Sequence, residues 1–203
     1  QQVWFAFSIA MASRAALAFG GLRSVPFAFY RSGTSRGIYV LEQDVPPKGP
    51  DRDAVLCKLM GSGHPQQLEG FGGGIGPTSK AVIVGSHPEA DSVTYTFAQC
   101  KVEDAAVDHS HGDCGNMLAA VGPFALERGL VKVPQPLTKK AHVRIHSLNT
   151  GSVSAADVCL SQSDAGPAVC YSGDTVLPGI PSPAAPVVLT TFGVAGSQTG
   201  KLL

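Results

Sequence analysis

The sequence predicts an α+β roll, in which a mixed β-sheet wraps around one central helix. The chain has 203 residues with 24 glycines and 15 prolines, a composition that favours many turns and short strands over a helical bundle. One segment, residues 113–129 (DCGNMLAAVGPFALERG), has helical spacing and is apolar or small on nearly every side. A helix of this kind needs other elements around it, so the strands are expected to enclose it.

Seven strand patterns and one further helix pattern lie between residues 25 and 192. The strand patterns are VPFAFY, IYVLEQ, AVIVGS, SVTYTFAQCKVE, AHVRIHSLNTG, SVSAADVCLS and AAPVVLTTF. The fifth and sixth are predicted to form a pair that turns at Asn149–Gly151. Residues 49–63 (GPDRDAVLCKLMGSG) predict a short helix that ends at Gly61.

The central helix pattern has its own start and stop signals. Asp113 is a suitable N-cap, and Gly129 is a suitable end. Pro123 lies inside the pattern, which predicts a kink or an early end. The apolar positions that repeat at helical spacing are Met117, Leu118, Val121, Phe124 and Ala125.

Composition excludes several classes of function. Fifteen basic and fifteen acidic residues give a net charge of zero, which argues against nucleic-acid binding. Five cysteines without a CxxC pair favour a reducing, intracellular compartment over a disulfide framework or a zinc ribbon. We expect no membrane span, because no stretch of about twenty apolar residues is free of charge.

Residues 1–24 are interpreted as an N-terminal extension to the lobe formed by residues 25–203. The segment from Gln1 to Leu41 contains no acidic residue but several arginines, and Met11 could be the start of the protein. This pattern is typical of an organelle transit peptide, in which case the protein is mitochondrial rather than cytoplasmic. A poorly ordered extension is the alternative.

Cys114 is the first candidate for chemistry, because it stands at the predicted N-terminus of the central helix. The helix dipole and free N–H groups stabilise thiolate there, and can lower a cysteine pKa from about 8.5 to about 3.5–7.5. The same N–H groups can hold a substrate carboxylate against the sulfur, which suits removal of a proton beside a bound acid. The alternative is a small buried residue, the usual environment of a free cysteine.

Lys80 is the second candidate, at the end of a glycine-rich loop formed by residues 70–80. The loop does not match a nucleotide-binding P-loop, because it reads Thr-Ser-Lys-Ala where that motif needs Gly-Lys-Ser/Thr. A partly desolvated ammonium at the entry to an apolar strand could donate or accept a proton. A surface lysine at a strand start is the alternative.

The turn YRSGTSRG offers hydroxyl and guanidinium groups that suit a carboxylate ligand, although a polar hairpin explains it equally well. These groups belong to Arg31, Thr34, Ser35 and Arg36.

His109 and His111 alternate in a loop and do not define a tetrahedral site, so we expect no metal. Solvated loop histidines explain the pair better, and a histidine that helps to ionise Cys114 is a further alternative.

Several motifs occur together in an order that resembles the PrpF-like family. They are YRSGTSRGIYV, DRDAVLCKLMGS, QLEGFGGGIGPTSKAVIV, TYTFAQ, VDHSHGDCGNMLAAVGPFALERGLV, VRIHSLNTG and GSQTGKLL. The family includes isomerases and tautomerases of methylaconitate, methylitaconate, oxalomesaconate and aconitate. The resemblance implies a diaminopimelate epimerase-like fold of two similar lobes, with the active site between them. It also implies a cofactor-free allylic proton shift that moves the double bond of an unsaturated di- or tricarboxylic acid.

The resemblance also assigns site residues. Cys114 of the CGN motif and Lys80 of the TSK motif match the acid/base pair of the family. The positions that it implies for substrate binding are Thr34, Ser35, Ser79, Gly115, Asn116 and Met117.

Three residues depart from the family pattern. Ser32 and Arg36 replace glycine and lysine in the first motif, and Asp113 replaces the more usual asparagine before the cysteine. A carboxylate beside the thiol opposes its ionisation, so Asp113 is expected to cap the helix instead.

Length is the largest departure, because the chain is interpreted as the first lobe without the second. The alternatives to an isomerase are therefore a non-catalytic lobe that binds a carboxylate or a partner chain, and a cysteine-dependent racemase or epimerase of the same fold. A second-lobe partner or a homo-oligomer would cover the open face.

Overall fold

The structure is a computed structural model, and it describes residues 2–4, 6–9, 24–164 and 166–193. Its helices are α1 (Pro50–Met60), α2 (Gly115–Leu118) and α3 (Val121–Glu127). Its strands are β1 (Gln2–Trp4), β2 (Ala6–Ile9), β3 (Phe27–Ser32), β4 (Ser35–Leu41), β5 (Lys80–Ser86), β6 (Ser92–Cys100), β7 (Val107–Asp108), β8 (Lys140–Ser147), β9 (Val153–Ser163), β10 (Gly166–Val169) and β11 (Val187–Phe192).

The strands form one mixed sheet in the order β1-β11-β9-β8-β6-β5-β4-β3-β2, with β10 paired to β9 and β7 to β6. The pairs β4–β5 and β6–β8 are parallel, and the other pairs are antiparallel. The sheet curls around α2 and α3, which confirms the predicted α+β roll.

Strands β4, β5 and β6 each contribute to two cores, because successive side chains point to opposite faces. In β5, Val82 and Val84 belong to the core around α2 and α3. Ala81 and Ile83 belong to the core on the other face, where α1 packs. We call these the central-helix face and the α1 face. The predicted alternation in SVTYTF is confirmed, with Val93, Tyr95 and Phe97 on the central-helix face.

The central helix is two short helices instead of one continuous helix. It breaks at Ala119 and Ala120, and the helical bonds resume where the Phe124 N–H donates to the Ala120 carbonyl at 3.0 Å. Pro123 has no N–H to give to the carbonyl of Ala119, and its ring crowds that carbonyl. The irregularity predicted from Pro123 is therefore found as a break one turn before the proline, and not as an early end.

The predicted N-cap is wrong by one residue. Cys114 is the N-cap of α2, in an extended conformation, and no side chain caps the helix. The Asp113 carboxylate instead accepts hydrogen bonds from the β8–β9 turn, where three hydroxyl groups converge. Three such donors outside the helix compete successfully with one backbone N–H at its end.

Two turn predictions are confirmed. Gly61 ends α1 in the left-handed conformation with φ of 72°. β8 and β9 form the predicted antiparallel pair, and Gly151 in their turn has φ of 72°. The Asn149 side chain ties this turn to β6, since it accepts from the Phe97 N–H at 2.7 Å and donates to the Phe97 carbonyl at 3.0 Å.

Two sequence predictions fall partly or wholly outside the described residues. Within residues 1–24, β1 pairs with β11 and β2 with β3, while residues 10–23 are not described, so the transit peptide stays a prediction. The motif GSQTGKLL, residues 196–203, is not described. Among the described helices, none is both long enough and apolar enough to cross a bilayer.

Candidate active site

Cys114 lies half-buried at the start of α2, against the edge of the central-helix core. The Tyr95 hydroxyl holds its backbone through two long contacts, accepting from the Cys114 N–H at 3.4 Å and donating to its carbonyl at 3.5 Å. Burial, reinforced by the charge of Cys114, raises the pKa of Tyr95 well above its ordinary value. The Tyr95 hydroxyl therefore stays protonated at neutral pH and keeps the cysteine backbone in place.

Lys80 is the first residue of β5, and its side chain lies on the central-helix face, in register with Val82 and Val84. Its Nζ donates to Gln99 Oε1 at 2.8 Å. The same nitrogen lies 4.9 Å from the centre of the Phe97 ring, whose π-face attracts a cation. Lys80 is half-buried and directed along the sheet by these two partners.

The fold brings Cys114 and Lys80 to the same face and the same end of the central helix. Tyr95, which holds Cys114, and Phe97, which holds Lys80, are two residues apart on β6 and share one face, about 7 Å apart along the strand. Gly37 also shows that the start of β5 and the start of α2 lie close together. A Cβ at Gly37 would lie 2.1 Å from the Lys80 carbonyl oxygen and 2.8 Å from Met117 Cε, so both neighbours approach this glycine closely.

Asn116 connects the start of α2 to the turn between β3 and β4. Its Oδ1 accepts from the Thr34 N–H at 3.2 Å, and its Nδ2 donates to the hydroxyls of Thr34 at 3.1 Å and Ser35 at 3.3 Å. Ser32 donates its hydroxyl to the Asn116 carbonyl. Thr34, Ser35 and Asn116, predicted from two separate motifs, therefore form one wall near Cys114, with their side chains held by each other.

Ser79 and Met117 are fully buried. The Ser79 hydroxyl bonds to Gln67 Oε1 at 2.6 Å and to the Ile75 carbonyl at 2.8 Å. The Met117 carbonyl accepts from the Tyr39 hydroxyl at 2.5 Å. Both residues are therefore shielded from solvent, and Gly115 is the first residue of α2.

Two groups of site residues are absent from the sequence predictions. Gln99 positions Lys80 because it pairs directly opposite it in the β5–β6 register. The hydroxyls that hold Asp113 come from Ser147 and, at 2.7 Å each, from Thr150 and Ser152. The sequence signal for the second group is the cluster of hydroxyl residues in the predicted turn, but only the register shows that it faces Asp113.

The remaining polar candidates turn to other partners. His109 contacts Asp53 at 2.7 Å, and His111 contacts Asp108 at 3.2 Å, so the two rings belong to different carboxylates. Hydrogen bonds from the Ser110 side chain and backbone lower the pKa of Asp108, with a smaller effect of His111.

The two arginines of the YRSGTSRG turn are also engaged. Arg31 donates to the Gly33 carbonyl at 3.1 Å, and the Arg36 guanidinium lies 5.8 Å from the centre of the Phe29 ring.

A cavity of about 420 Å³ lies on the α1 face, between α1 and the sheet, and is thus separate from Cys114. Its walls include Arg52, Asp53, Leu56, Ile83 and His109.

Comparison with known proteins supplies the family. The chain is 44% identical over 184 residues to 4-oxalomesaconate tautomerase of Pseudomonas putida, covering 90% of this chain and 49% of that protein. It is 40% identical over 181 residues to 3-methylitaconate isomerase of Eubacterium barkeri, covering 88% of this chain and 45% of that protein.

A solved structure is also similar. A crystal structure of methylitaconate-delta-isomerase matches with a TM-score of 0.78 and 39% identity, over 88% of this chain and 44% of that one. The chain thus spans about half the length of the curated relatives it matches. The family model described as PrpF protein matches residues 22–203, and the chain belongs to the PrpF family.

Proposed function

We propose that this chain carries the Cys114–Lys80 acid/base pair of a cofactor-independent isomerase, which moves the double bond of an unsaturated di- or tricarboxylic acid such as aconitate, methylaconitate or methylitaconate. The observation that carries the proposal is that Tyr95, which contacts the Cys114 backbone, and Phe97, which lies beneath Lys80 Nζ, are neighbours on one face of β6. The relatives are named as a tautomerase and an isomerase, which supports the same reaction class.

The reaction needs only a proton to move. A base removes a proton from the carbon at one end of a three-carbon unit, and the C–H electron pair becomes part of an allylic carbanion. The adjoining double bond shifts, and an acid protonates the carbon at the other end. No electrons leave the substrate, so neither an oxidant nor a reductant takes part.

The surroundings of the two residues support distinct roles. Lys80 donates to Gln99 and lies over the Phe97 ring, two contacts that fix the position of its side-chain nitrogen as a proton donor. Cys114 then acts as the base, and its proton returns to solvent or to Lys80 after each turnover. The N–H groups in the first turn of α2 have no helical acceptor, so they can hold a substrate carboxylate and the charge that develops beside it.

A second lobe, or a second copy, is proposed to complete the cleft. Support comes from the half-exposed position of Cys114 and Lys80. Two exposed apolar side chains add to it, Leu68 just before the glycine-rich loop that leads to Lys80 and Ile75 within that loop. An intracellular location, cytoplasmic or mitochondrial, is likewise proposed, supported by the five free cysteines.

The experiment follows deuterium uptake from D₂O into cis-aconitate and methylitaconate by NMR. It uses this chain, and a chimera in which the C-terminal half of the Pseudomonas putida relative follows it. Cys114→Ser and Lys80→Ala are each expected to slow exchange by at least about 100-fold, the usual contribution of a general acid or base. Cys170→Ser and Lys101→Ala are the matched controls, and both should keep the exchange rate.

Each other outcome has a distinct meaning. No exchange by either protein, or equal exchange by all variants, would overturn the proposed activity. Binding of the acids without exchange would identify a non-catalytic carboxylate-binding lobe. Exchange with inversion at a stereocentre and no movement of a double bond would identify the epimerase alternative.

A further inference from the structure

Two histidines and a glutamate meet at the end of the β5–β6 connection, on separate segments of the chain. His87 and Glu89 follow β5, and His146 lies near the end of β8. One ligand atom from each of the three side chains lies within 4.8 Å of the other two. The two imidazole rings are stacked, with centroids 4.0 Å apart and planes 7° from parallel.

This cluster is remote from the candidate active site. In β8, Ile145 and Ser147 point to the central-helix face, where Ser147 holds Asp113. His146 lies between them in sequence, so its side chain points to the α1 face. It stands opposite Thr94 of β6 in the sheet.

The nitrogen atoms of the cluster are available as ligands. His146 Nε2 is shielded from solvent and has no hydrogen-bond partner; its nearest charged group is Glu89 Oε2 at 4.0 Å. His87 Nδ1 accepts the Glu89 N–H at 3.2 Å, so this nitrogen carries the lone pair of the neutral ring and can exchange that contact for a cation. A buried polar atom without a partner is rare in native proteins and is commonly explained by an unseen water or ion.

Glu89 supplies the negative charge. Its Oε2 accepts from the Ser92 hydroxyl at 3.1 Å, an interaction that orients a carboxylate ligand. Arg144 lies 4.0 Å from the same oxygen and is half exposed, so it can turn to solvent when a cation replaces it.

We propose that His87, Glu89 and His146 bind a divalent transition-metal ion, with zinc as the best match to two imidazoles and one carboxylate. Zinc ligands at about 2.0–2.2 Å from the metal are about 3.4 Å from each other, so the three atoms must close by about 1 Å. The two imidazole rings must also tilt away from their parallel stacking, so that one nitrogen of each ring points at the same metal ion. His87 can turn in this way, because it lies on a half-exposed turn outside the strands.

The bound ion would tie the β5–β6 turn to β8 on the α1 face. It leaves Cys114 and Lys80 untouched, and the proposal is therefore independent of the isomerase activity. The sequence does not predict it, since the ligands are 57 or more residues apart on two segments, with only His87 and Glu89 close together.

The test is calorimetric titration of the 203-residue chain with Zn²⁺, alongside His87→Gln, His146→Gln and Glu89→Gln. Each substitution is expected to weaken one zinc site by at least about tenfold. His64→Gln is the matched control, because His64 Nδ1 also accepts a backbone N–H two residues on, at 3.2 Å. Zinc that binds to the free cysteines does so in the wild type and in every variant, so it does not contribute to the difference between them.

Thermal unfolding gives a second readout. At about 100 times the Kd, zinc should raise the Tm of the wild type and of His64→Gln by about 5 °C or more, and should raise that of the three ligand variants less. Glu89 is exposed, so Glu89→Gln keeps the test valid if a histidine variant fails to fold. Equal zinc binding by all five proteins, or wild-type binding weaker than about 1 mM, would overturn the proposal.

Discussion

Replacing Gly37 by alanine tests the link between Lys80 and the start of the central helix. Gly37 pairs with Lys80 across the parallel β4–β5 ladder. An added Cβ would lie 2.1 Å from the Lys80 carbonyl oxygen, whereas Cβ contacts under 3.0 Å are essentially never observed. The obstacle is backbone, so rotation of a side chain cannot relieve it, and Met117 Cε at 2.8 Å blocks the other side.

The two strands must therefore separate at this point. Overpacking of a tight site costs about 1–3 kcal/mol, and each ladder hydrogen bond that lengthens costs about 1 kcal/mol more. The free energy of unfolding should fall by about 3 kcal/mol, a large part of the 5–15 kcal/mol that is usual for a domain. For a chain of this size, the Tm should fall by about 6–12 °C.

Urea denaturation followed by circular dichroism measures the loss. Gly76→Ala is the matched control, because a Cβ at Gly76 meets nothing within 4 Å and its free energy of unfolding should stay within about 0.5 kcal/mol of wild type. If Gly37→Ala were also within about 0.5 kcal/mol of wild type, the close approach of β4, β5 and Met117 would be refuted.

Three further predictions concern hydrogen bonds and burial. Asp113→Ala should lower the free energy of unfolding by about 2 kcal/mol, because three hydroxyls lose a charged acceptor that is partly in solvent. Glu127→Gln should lower it by about 1 kcal/mol, since the carboxylate accepts from two tyrosine hydroxyls. Burial raises the pKa of Tyr39, Tyr95 and Tyr171 in the folded state. Their contribution to stability is therefore complete below the ordinary tyrosine pKa of about 10 and is lost as pH rises above it, by up to about 1.4 kcal/mol per pH unit for each tyrosine.

Urea titrations check all three, the last at a series of pH values from 8 to about 11.5. Asp104→Ala and Glu69→Gln serve as controls, because their carboxylates form exposed ion pairs worth little. A loss in either control equal to that in its test variant would contradict the assigned hydrogen bonds. A free energy of unfolding that does not fall between pH 10 and pH 11 would contradict the burial of the tyrosine hydroxyls.

Local sequence patterns predicted most elements of the fold. The alternation around Tyr95 predicted strand β6, and Gly61 predicted the end of α1, because side-chain alternation and left-handed backbone are local properties. The alternation predicted a half-buried strand, whereas both faces of β6 lie in cores. Pro123 signalled the interruption of the central helix for the same reason. β1, β2, β7 and β10 were not predicted, since short strands depend on the neighbours with which they pair.

The site was predicted in part. Cys114, Lys80 and Asn116 were identified from their motifs and from a family resemblance that the comparisons confirm. Asp113 was expected to cap the helix, because the sequence shows the nearest backbone donors but not the hydroxyls that lie 34 to 39 residues away. The partners that direct Lys80 also depend on strand register.

The sequence alone determined the alternation of the strands, the apolar character of the central helix and the kinds of residue that could move a proton. These follow from side-chain chemistry and from spacing along a single segment. Only the tertiary structure decided which segments meet: Gln99 beside Lys80, the turn hydroxyls beside Asp113, and His146 against His87. The physical reason is that sheet order and register are set by the joint burial of all the strands around one helix, a property that no single segment carries.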